Sequence, residues 1–182
     1  MMLCNIRRFA TIVATGIAVA LQAPAWAHKS SDSYLSLVLE DGRITGQWDI
    51  ALRDLNYAIG IDTDNDGVIT WGELRAHHPA IAAYALSNLK FAADERACAT
   101  RATDHLVDEH SDGAYEVLRF AVDCPAVTAV LSIKYNLLFD LDPLHRGLLK
   151  LEDMRISKLR SINHNDAIAT MHSEPAPRTT RG

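Results

Sequence analysis

The chain has 182 residues, of which 48% are hydrophobic and 23% are charged, and its formal net charge is −5. An acidic chain with no basic patch excludes nucleic acid as an expected partner. The roughly 125 residues that follow the N-terminal segment are enough for one domain with its own core.

Residues 1–27 have the pattern of a secretory signal peptide. Arg7 and Arg8 form the charged start, residues 9–21 are an apolar run too short to cross a bilayer, and residues 25–27 (AWA) form a cleavage site. The mature chain is expected to begin at His28, to carry a formal charge of −7, and to be periplasmic or secreted. No later apolar run reaches the roughly 18 residues of a membrane helix, so no transmembrane segment is predicted in the mature chain.

The first predicted element is a β-hairpin. Apolar and polar residues alternate over residues 33–40 and again over residues 43–50, which is typical of two half-buried strands. Asp41 and Gly42 between them suit a type I′ turn. Trp48 falls on the apolar face of the second strand and is expected in the core.

Helical spacing replaces the alternation after this hairpin. Residues 51–59 predict an entering helix of two to three turns. A second helix is predicted from Trp71 to His78, because Pro79 disfavours helix in the residue before it. Pro79 then begins another helix, whose apolar stripe runs to Leu89. Trp71 is assigned to an apolar face and hence to core packing.

The segment between the two predicted helices, residues 62–73 (DTDNDGVITWGE), fits the EF-hand calcium loop at every ligand position. Gly67 stands where the loop turns sharply. Four carboxylates so close in sequence repel one another unless a cation neutralises them, and the alternative is a solvated acidic loop without an ion. The predicted cofactor is therefore Ca²⁺, and its predicted ligands are Asp62, Asp64, Asp66, the Val68 carbonyl, Thr70 and the bidentate Glu73.

Strand patterns resume after the helical segment. A second Asp-Gly pair at residues 112–113 marks another hairpin. The predicted strands in this part of the chain cover residues 103–109, 114–124, 129–137 and 147–152. The predicted fold class is α+β: an antiparallel sheet structure arranged as a sandwich over residues 28–152, with a helix–loop–helix inserted at about residues 50–78.

Two cysteines, Cys98 and Cys124, remain after export. An even number in an oxidising compartment favours a disulfide, and two buried free thiols or half of a metal site are the alternatives. Residues 153–182 are polar, and we expect them to form a flexible tail.

Four further strings are distinctive: HKSSDSYL at 28–35, QWDIALRDL at 47–55, HSDGAY at 110–115 and LFDLDPLHRG at 138–147. Together they resemble the exported N-terminal region of one bacterial family, the hydrogenase/urease accessory (HupE/UreJ-type) membrane proteins. The resemblance covers about residues 28–152 and implies a link to nickel or cobalt handling. In that family a multi-helix membrane region follows, which this sequence lacks, so the resemblance does not imply a transport role for this chain.

Histidines offer a second metal chemistry. After cleavage His28 would carry a free amine beside its imidazole, a chelating pair suited to copper or nickel. Its spacing from the other histidines fixes no site, and His105 and His110 are expected to point to opposite faces of one strand. The other available donors are His77, His78, His105, His110 and His145.

The sequence carries no recognisable catalytic grouping of serine, histidine and aspartate and no phosphate-binding glycine loop. It therefore predicts an exported, non-enzymatic calcium-binding protein. Its single EF-hand orders a helical insertion, for structure or for binding an unidentified protein partner. A transition-metal binding or delivery protein for nickel, cobalt or copper is the alternative.

Overall fold

A computed structural model describes residues 31–40, 43–124, 130–153 and 156–172. The predicted signal peptide, His28 and the predicted turn at residues 41–42 lie outside these ranges. Helices α1 (Leu52–Ile59) and α2 (Trp71–Ser87) lie between the second and third strands. The strands are β1 (Asp32–Glu40), β2 (Arg43–Ala51), β3 (Leu89–Ala93), β4 (Arg96–Ala97), β5 (Ala99–His110), β6 (Gly113–Asp123), β7 (Val130–Tyr135), β8 (Arg146–Asp153), β9 (Ile156–Asn163) and β10 (Ile168–His172). Two helices among predominantly antiparallel strands confirm the α+β class.

The strands form two sheets, with the orders β5-β6-β2-β1-β8-β9 and β10-β7-β3-β4. β1 and β2 pair antiparallel as far as Glu40 and Arg43, which confirms the first predicted hairpin. The hairpin of β5 and β6 around residues 111–112 is confirmed as well. The predicted antiparallel pairing holds for the described strands except at one pair, because β1 and β8 run parallel. Parallel neighbours need a long crossover, and here the helices and the second sheet supply it.

The two sheets pack face to face over one apolar core. The ring centroids of Trp48 on β2 and Tyr135 on β7 lie 5.4 Å apart, and those of Phe91 on β3 and Phe120 on β6 lie 6.1 Å apart. Trp48 is fully buried, as predicted. Gly46 makes room for the Phe120 ring, because a Cβ at this position would lie 2.1 Å from it. The core thus joins both sheets through aromatic contacts.

Helix α1 follows β2 without a loop and buries Leu52 and Leu55 against the sheet. It ends at Gly60, whose φ of 67° lies in the left-handed region that glycine adopts without strain. The Gly60 N–H donates to the Asn56 carbonyl at 2.8 Å, which closes the last turn. The predicted entering helix is therefore confirmed.

Helix α2 runs through Pro79 to Ser87, so the predicted end at His78 is wrong. Proline cannot donate a hydrogen bond to the carbonyl four residues earlier. The helix nevertheless continues, because Leu74 before the proline and Ile81 after it are both buried against the core. The prediction for Trp71 is also wrong, since its side chain is 53% exposed at the start of the helix.

Two regions form strands that the sequence pattern did not predict. Leu89, expected in a helix, begins β3 and pairs with β7. Residues 156–172 contain β9, which pairs with β8, and β10, which pairs with β7. The expectation of a flexible tail over residues 153–182 therefore does not hold for this part. Ile162 and Ala169 reach the core from these strands. Because so few of their residues are buried, the sequence shows little of the apolar–polar alternation that predicts a strand.

The disulfide between Cys98 and Cys124 is present, with the sulfurs 2.08 Å apart. Cys98 immediately precedes β5 and Cys124 immediately follows β6, so the bridge closes the open end of this hairpin. Among the described residues, neither helix is long and apolar enough to cross a membrane.

Candidate metal centres

Residues 60–70 connect α1 to α2 and contain most of the predicted calcium loop. Within the predicted calcium loop, residues 62–73, two residues have positive φ, Asn65 at 57° and Gly67 at 85°. Gly67 therefore lies at the sharp turn predicted from the sequence, where a left-handed backbone favours glycine. The Gly67 N–H donates to Asp62 Oδ2 at 3.0 Å, and the Asp62 N–H donates to the Asn56 side chain at 2.8 Å. The turn at Gly67 is thereby tied to Asp62, and Asp62 is tied to α1.

Three aspartates of the loop converge. One carboxylate oxygen from each of Asp62, Asp64 and Asp66 lies within 4.8 Å of the others. Asp62 Oδ1 is buried and accepts no hydrogen bond. A hydrogen bond from the Asp66 N–H lowers the pKa of Asp64, but the negative charges of Asp66 and Glu73 raise it, and the net direction is upward. The group is thus a concentration of negative charge with one unsatisfied oxygen.

Glu73 is not a member of this close group. Its Oε1 accepts from the N–H and hydroxyl of Thr63 at 2.7 and 2.9 Å, and its Oε2 accepts from the N–H and hydroxyl of Thr70 at 3.0 and 2.8 Å. These bonds, led by the Thr70 and Thr63 N–H groups, lower the pKa of Glu73 to about 2. Glu73 is therefore a carboxylate at neutral pH and joins the two ends of the loop.

The remaining predicted ligands occupy the second half of the loop. Thr70 is the N-cap of α2, and with Glu73 it forms a capping box. Val68 is exposed, and its N–H donates to Asp66 Oδ1 at 2.7 Å. The oxygens of a flexible, multidentate set of this kind match the preference of Ca²⁺ for six to eight oxygen ligands.

The described histidines among those named from the sequence do not form one site. His77 contacts the Glu73 carbonyl through Nδ1 at 2.8 Å. His110 lies 3.4 Å from Asp49 and stacks on Tyr115, at a ring-centroid distance of 4.1 Å. His105 contacts Glu116, the residue after Tyr115 on β6. Because neighbouring residues of a strand face opposite sides, the contacts of His105 and His110 confirm that they point to opposite faces.

His145 belongs to a buried chain of hydrogen bonds that the sequence did not reveal. The Ser31 hydroxyl donates to Asp54 at 2.6 Å, so His145 Nδ1, 2.6 Å from Ser31 Oγ, must be the donor in that contact. His145 Nε2 then accepts from the Tyr135 hydroxyl at 2.7 Å. Beyond Tyr135 the chain continues through Ser33, which accepts from the Trp48 indole N–H.

The hydrogen-bond directions in this arrangement do not suit Ser31 as a nucleophile. A serine nucleophile needs a base that accepts its proton, whereas the Ser31 proton points to Asp54 and His145 already donates to Ser31. Burial lowers the pKa of His145 to about 4, although the charges of Asp54 and Asp142 oppose this direction. Neutral His145 satisfies every partner in the chain.

A second cluster of donor groups lies where α2 approaches the β5–β6 hairpin. It consists of His78 on α2, His105 on β5 and Glu116 on β6, and one donor atom from each lies within 4.8 Å of the others. Burial, with the nearby charges of His105 and Arg75, lowers the pKa of His78. Burial raises the pKa of Glu116, against the opposing hydrogen bond from His105. Glu116 is not among the residues predicted from the sequence, although its alternation with Leu118, Phe120 and Val122 places an acid on the core face of the strand.

No protein-family model matches this sequence, and no curated protein does so either. The side-chain geometry of the two clusters and the export features of the sequence therefore carry the functional conclusion.

Proposed function

We propose that this is an exported, non-enzymatic calcium-binding protein in which residues 62–73 form a single EF-hand. The observation that carries the proposal is the convergence of Asp62, Asp64 and Asp66, with Asp62 Oδ1 buried and without a hydrogen bond. A divalent cation at this point would satisfy that oxygen and relieve the repulsion among the three acids. The disulfide and the signal-peptide pattern support export to an oxidising compartment.

In this proposal Ca²⁺ takes oxygens from Asp62, Asp64, Asp66, the Val68 carbonyl, Thr70 and Glu73. Glu73 is the residue whose contacts change most, because its carboxylate bonds to Thr63 and Thr70 without the ion. As Glu73 is the third residue of α2, its attraction to the cation draws the start of this helix toward Asp62 and the end of α1. The ion thereby acts as a clamp on the helical insertion.

The role of the clamp is to order the insertion for structure or for a protein partner. Tyr57 on α1, Val68 in the loop and Trp71 on α2 are among the large apolar side chains left exposed, and all three lie on the elements that the ion would order. Exposed apolar groups on such an element are typical of interaction surfaces. Extracellular calcium modules commonly bind at about 10⁻⁴–10⁻³ M, and a lone EF-hand is expected in that range.

Calorimetric titration of the mature chain with Ca²⁺ and Mg²⁺ tests the ligand set. Glu73→Gln is the sharpest variant, because glutamine keeps an acceptor for the capping box but loses the bidentate carboxylate. Asp62→Asn removes the charge at the unsatisfied oxygen. Both should abolish Ca²⁺ binding, whereas Asp140→Asn, at an exposed acid outside the loop, should bind like the wild type.

Limited proteolysis gives an independent measurement. Ca²⁺ should protect the segment between Leu55 and Arg75 from cleavage in the wild type and in Asp140→Asn, but not in Glu73→Gln. Wild-type Ca²⁺ affinity in both loop variants would refute the proposed ligands. A wild-type chain that takes up no Ca²⁺ at millimolar concentration would refute the function itself.

A further inference from the structure

The cluster of His78, His105 and Glu116 joins three separate elements of the fold. His78 lies near the middle of α2, and its ring stacks on that of His105 with centroids 4.2 Å apart and planes inclined by 7°. His105 Nδ1 lies 2.5 Å from Glu116 Oε1. The Cys98–Cys124 bridge holds the two strands that carry His105 and Glu116.

Glu116 is an acid on the core-facing side of its strand. Strand alternation places it on the same face as Leu118, Phe120 and Val122, which belong to the apolar core. Its side chain is 0% exposed, and Oε2 is buried without a hydrogen-bond partner. A buried carboxylate oxygen without a partner is costly, because neither water nor a donor replaces the lost hydration.

His78 contributes a second unsatisfied atom at the same place. Its Nε2 is buried and makes no hydrogen bond. Of the three buried side-chain polar atoms without a partner among the described residues, two thus belong to this cluster, and the third, Asp62 Oδ1, belongs to the calcium loop. The unsatisfied atoms of the described part of the chain are therefore confined to the two groups that have metal-ligand chemistry.

We propose that His78, His105 and Glu116 form a second metal site, which binds a divalent transition metal of the zinc type. Two imidazole nitrogens and one carboxylate are a ligand set found in zinc sites with an open fourth position, and imidazole selects such ions over Ca²⁺. The site shares no ligand with the calcium loop and does not depend on calcium binding.

The geometry requires only side-chain movement. Donor atoms on a tetrahedral zinc ion lie about 3.3 Å apart when the bonds are 2.0–2.1 Å, so donors within 4.8 Å of one another have to close by about 1.5 Å at most. A nitrogen lone pair lies in the plane of its ring, and two stacked rings cannot both direct one at the same ion. One imidazole therefore rotates out of the stack when metal binds. Neither histidine is fully buried, and the His105 side chain is 16% exposed.

Titration of the mature chain with Zn²⁺ after chelator treatment, and with Co²⁺ as a visible-absorption probe, tests the site. Wild type should bind one equivalent of Zn²⁺, and Co²⁺ should show the d–d bands of a nitrogen- and oxygen-ligated ion. Loss of an outer partner of a metal site costs about 10–100-fold in affinity, so removal of a ligand in His105→Gln or Glu116→Gln should weaken Zn²⁺ binding by at least about 100-fold. His110→Gln is the matched control, because His110 lies on the opposite face of the same strand.

Two further variants distinguish this site from the other candidates. His28→Ala removes the imidazole of the N-terminal chelating pair that the sequence suggests, and Glu73→Gln removes the bidentate ligand of the calcium loop; both should keep wild-type Zn²⁺ affinity. His78→Gln tests the helix ligand without altering the strands and should behave like Glu116→Gln. Zinc binding that is lost in His28→Ala or unchanged in both Glu116→Gln and His78→Gln would overturn the proposal, and neither result would bear on calcium binding.

Discussion

The buried His145 makes the stability of this fold depend on pH. The neutral ring donates to Ser31 and accepts from Tyr135, and both bonds are buried. A proton on Nε2 would reverse the second bond and leave the Tyr135 hydroxyl proton without an acceptor in the chain, because the Ser33 hydroxyl already donates to Tyr135. Lowering the pH from 7.5 to 4.5 is therefore expected to destabilise the folded chain.

The magnitude follows from the two protonation equilibria. The pKa of His145 is 6.5 in an unfolded chain and about 4 in the folded protein. Because the pKa of His145 is lower in the folded state, its contribution to the free energy of unfolding is fully present above pH 6.5. As the pH falls below 6.5, the unfolded state binds a proton before the folded state does. Stability is then lost progressively between 6.5 and 4, with about 2 kcal/mol lost by pH 5 and a limit of about 3 kcal/mol.

Urea unfolding at several pH values measures this loss. His145→Phe should be less stable at pH 7.5 by about 1–3 kcal/mol, because Ser31 and Tyr135 lose a buried partner, but it should lack the wild-type fall between pH 6.5 and 4.5. His164→Asn, at an exposed histidine, should retain that fall. An equally steep fall in His145→Phe would refute the reasoning and assign the pH dependence to other groups.

Two other substitutions test the packing and the covalent bond that position the candidate centres. Gly147→Ala places a Cβ 2.7 Å from the buried Tyr135 ring and should lower the free energy of unfolding by about 1–3 kcal/mol, whereas Gly72→Ala, whose nearest contact is 3.8 Å away, should not lower it. Replacing both Cys98 and Cys124 with serine should cost about 3 kcal/mol in urea unfolding, given their separation of 26 residues. Unchanged unfolding midpoints in Gly147→Ala or in the double serine variant would contradict these assignments.

The sequence was sufficient to predict elements whose turns and ends depend on residues close to one another along the chain. The hairpin around residues 111–112 follows from one Asp-Gly pair and the alternation on both sides. The Cys98–Cys124 disulfide was expected from the predicted export and from the even number of cysteines after the signal peptide. Helix α1 ends at Gly60, the residue type that a left-handed C-cap favours.

The errors arise where contacts distant in sequence outweigh a local preference. Pro79 is a strong local signal for a helix end, yet burial of Leu74 and Ile81 continues α2 across it. This continuation also places His78 above His105, a contact that no sequence spacing encodes. The alternation of β6 places Glu116 on the core face, but its grouping with His78 and His105 arises only from the packing of α2 against the β5–β6 hairpin.

The two candidate centres are linked through α2. Glu73 lies in its first turn and His78 lies five residues later, a rise of about 7.5 Å along the helix axis. Two divalent cations at these positions would repel each other, but Asp62, Asp64, Asp66, Glu73 and Glu116 place enough negative charge around them to offset that repulsion. Oxygen donors alone at the helix start favour Ca²⁺, and nitrogen donors near its middle favour ions of the zinc type, so ligand chemistry keeps the ions apart. Since one helix carries a ligand of each centre, an ion bound at either centre restricts the same element. Any free energy by which the first ion alters the binding of the second must be equal in both directions.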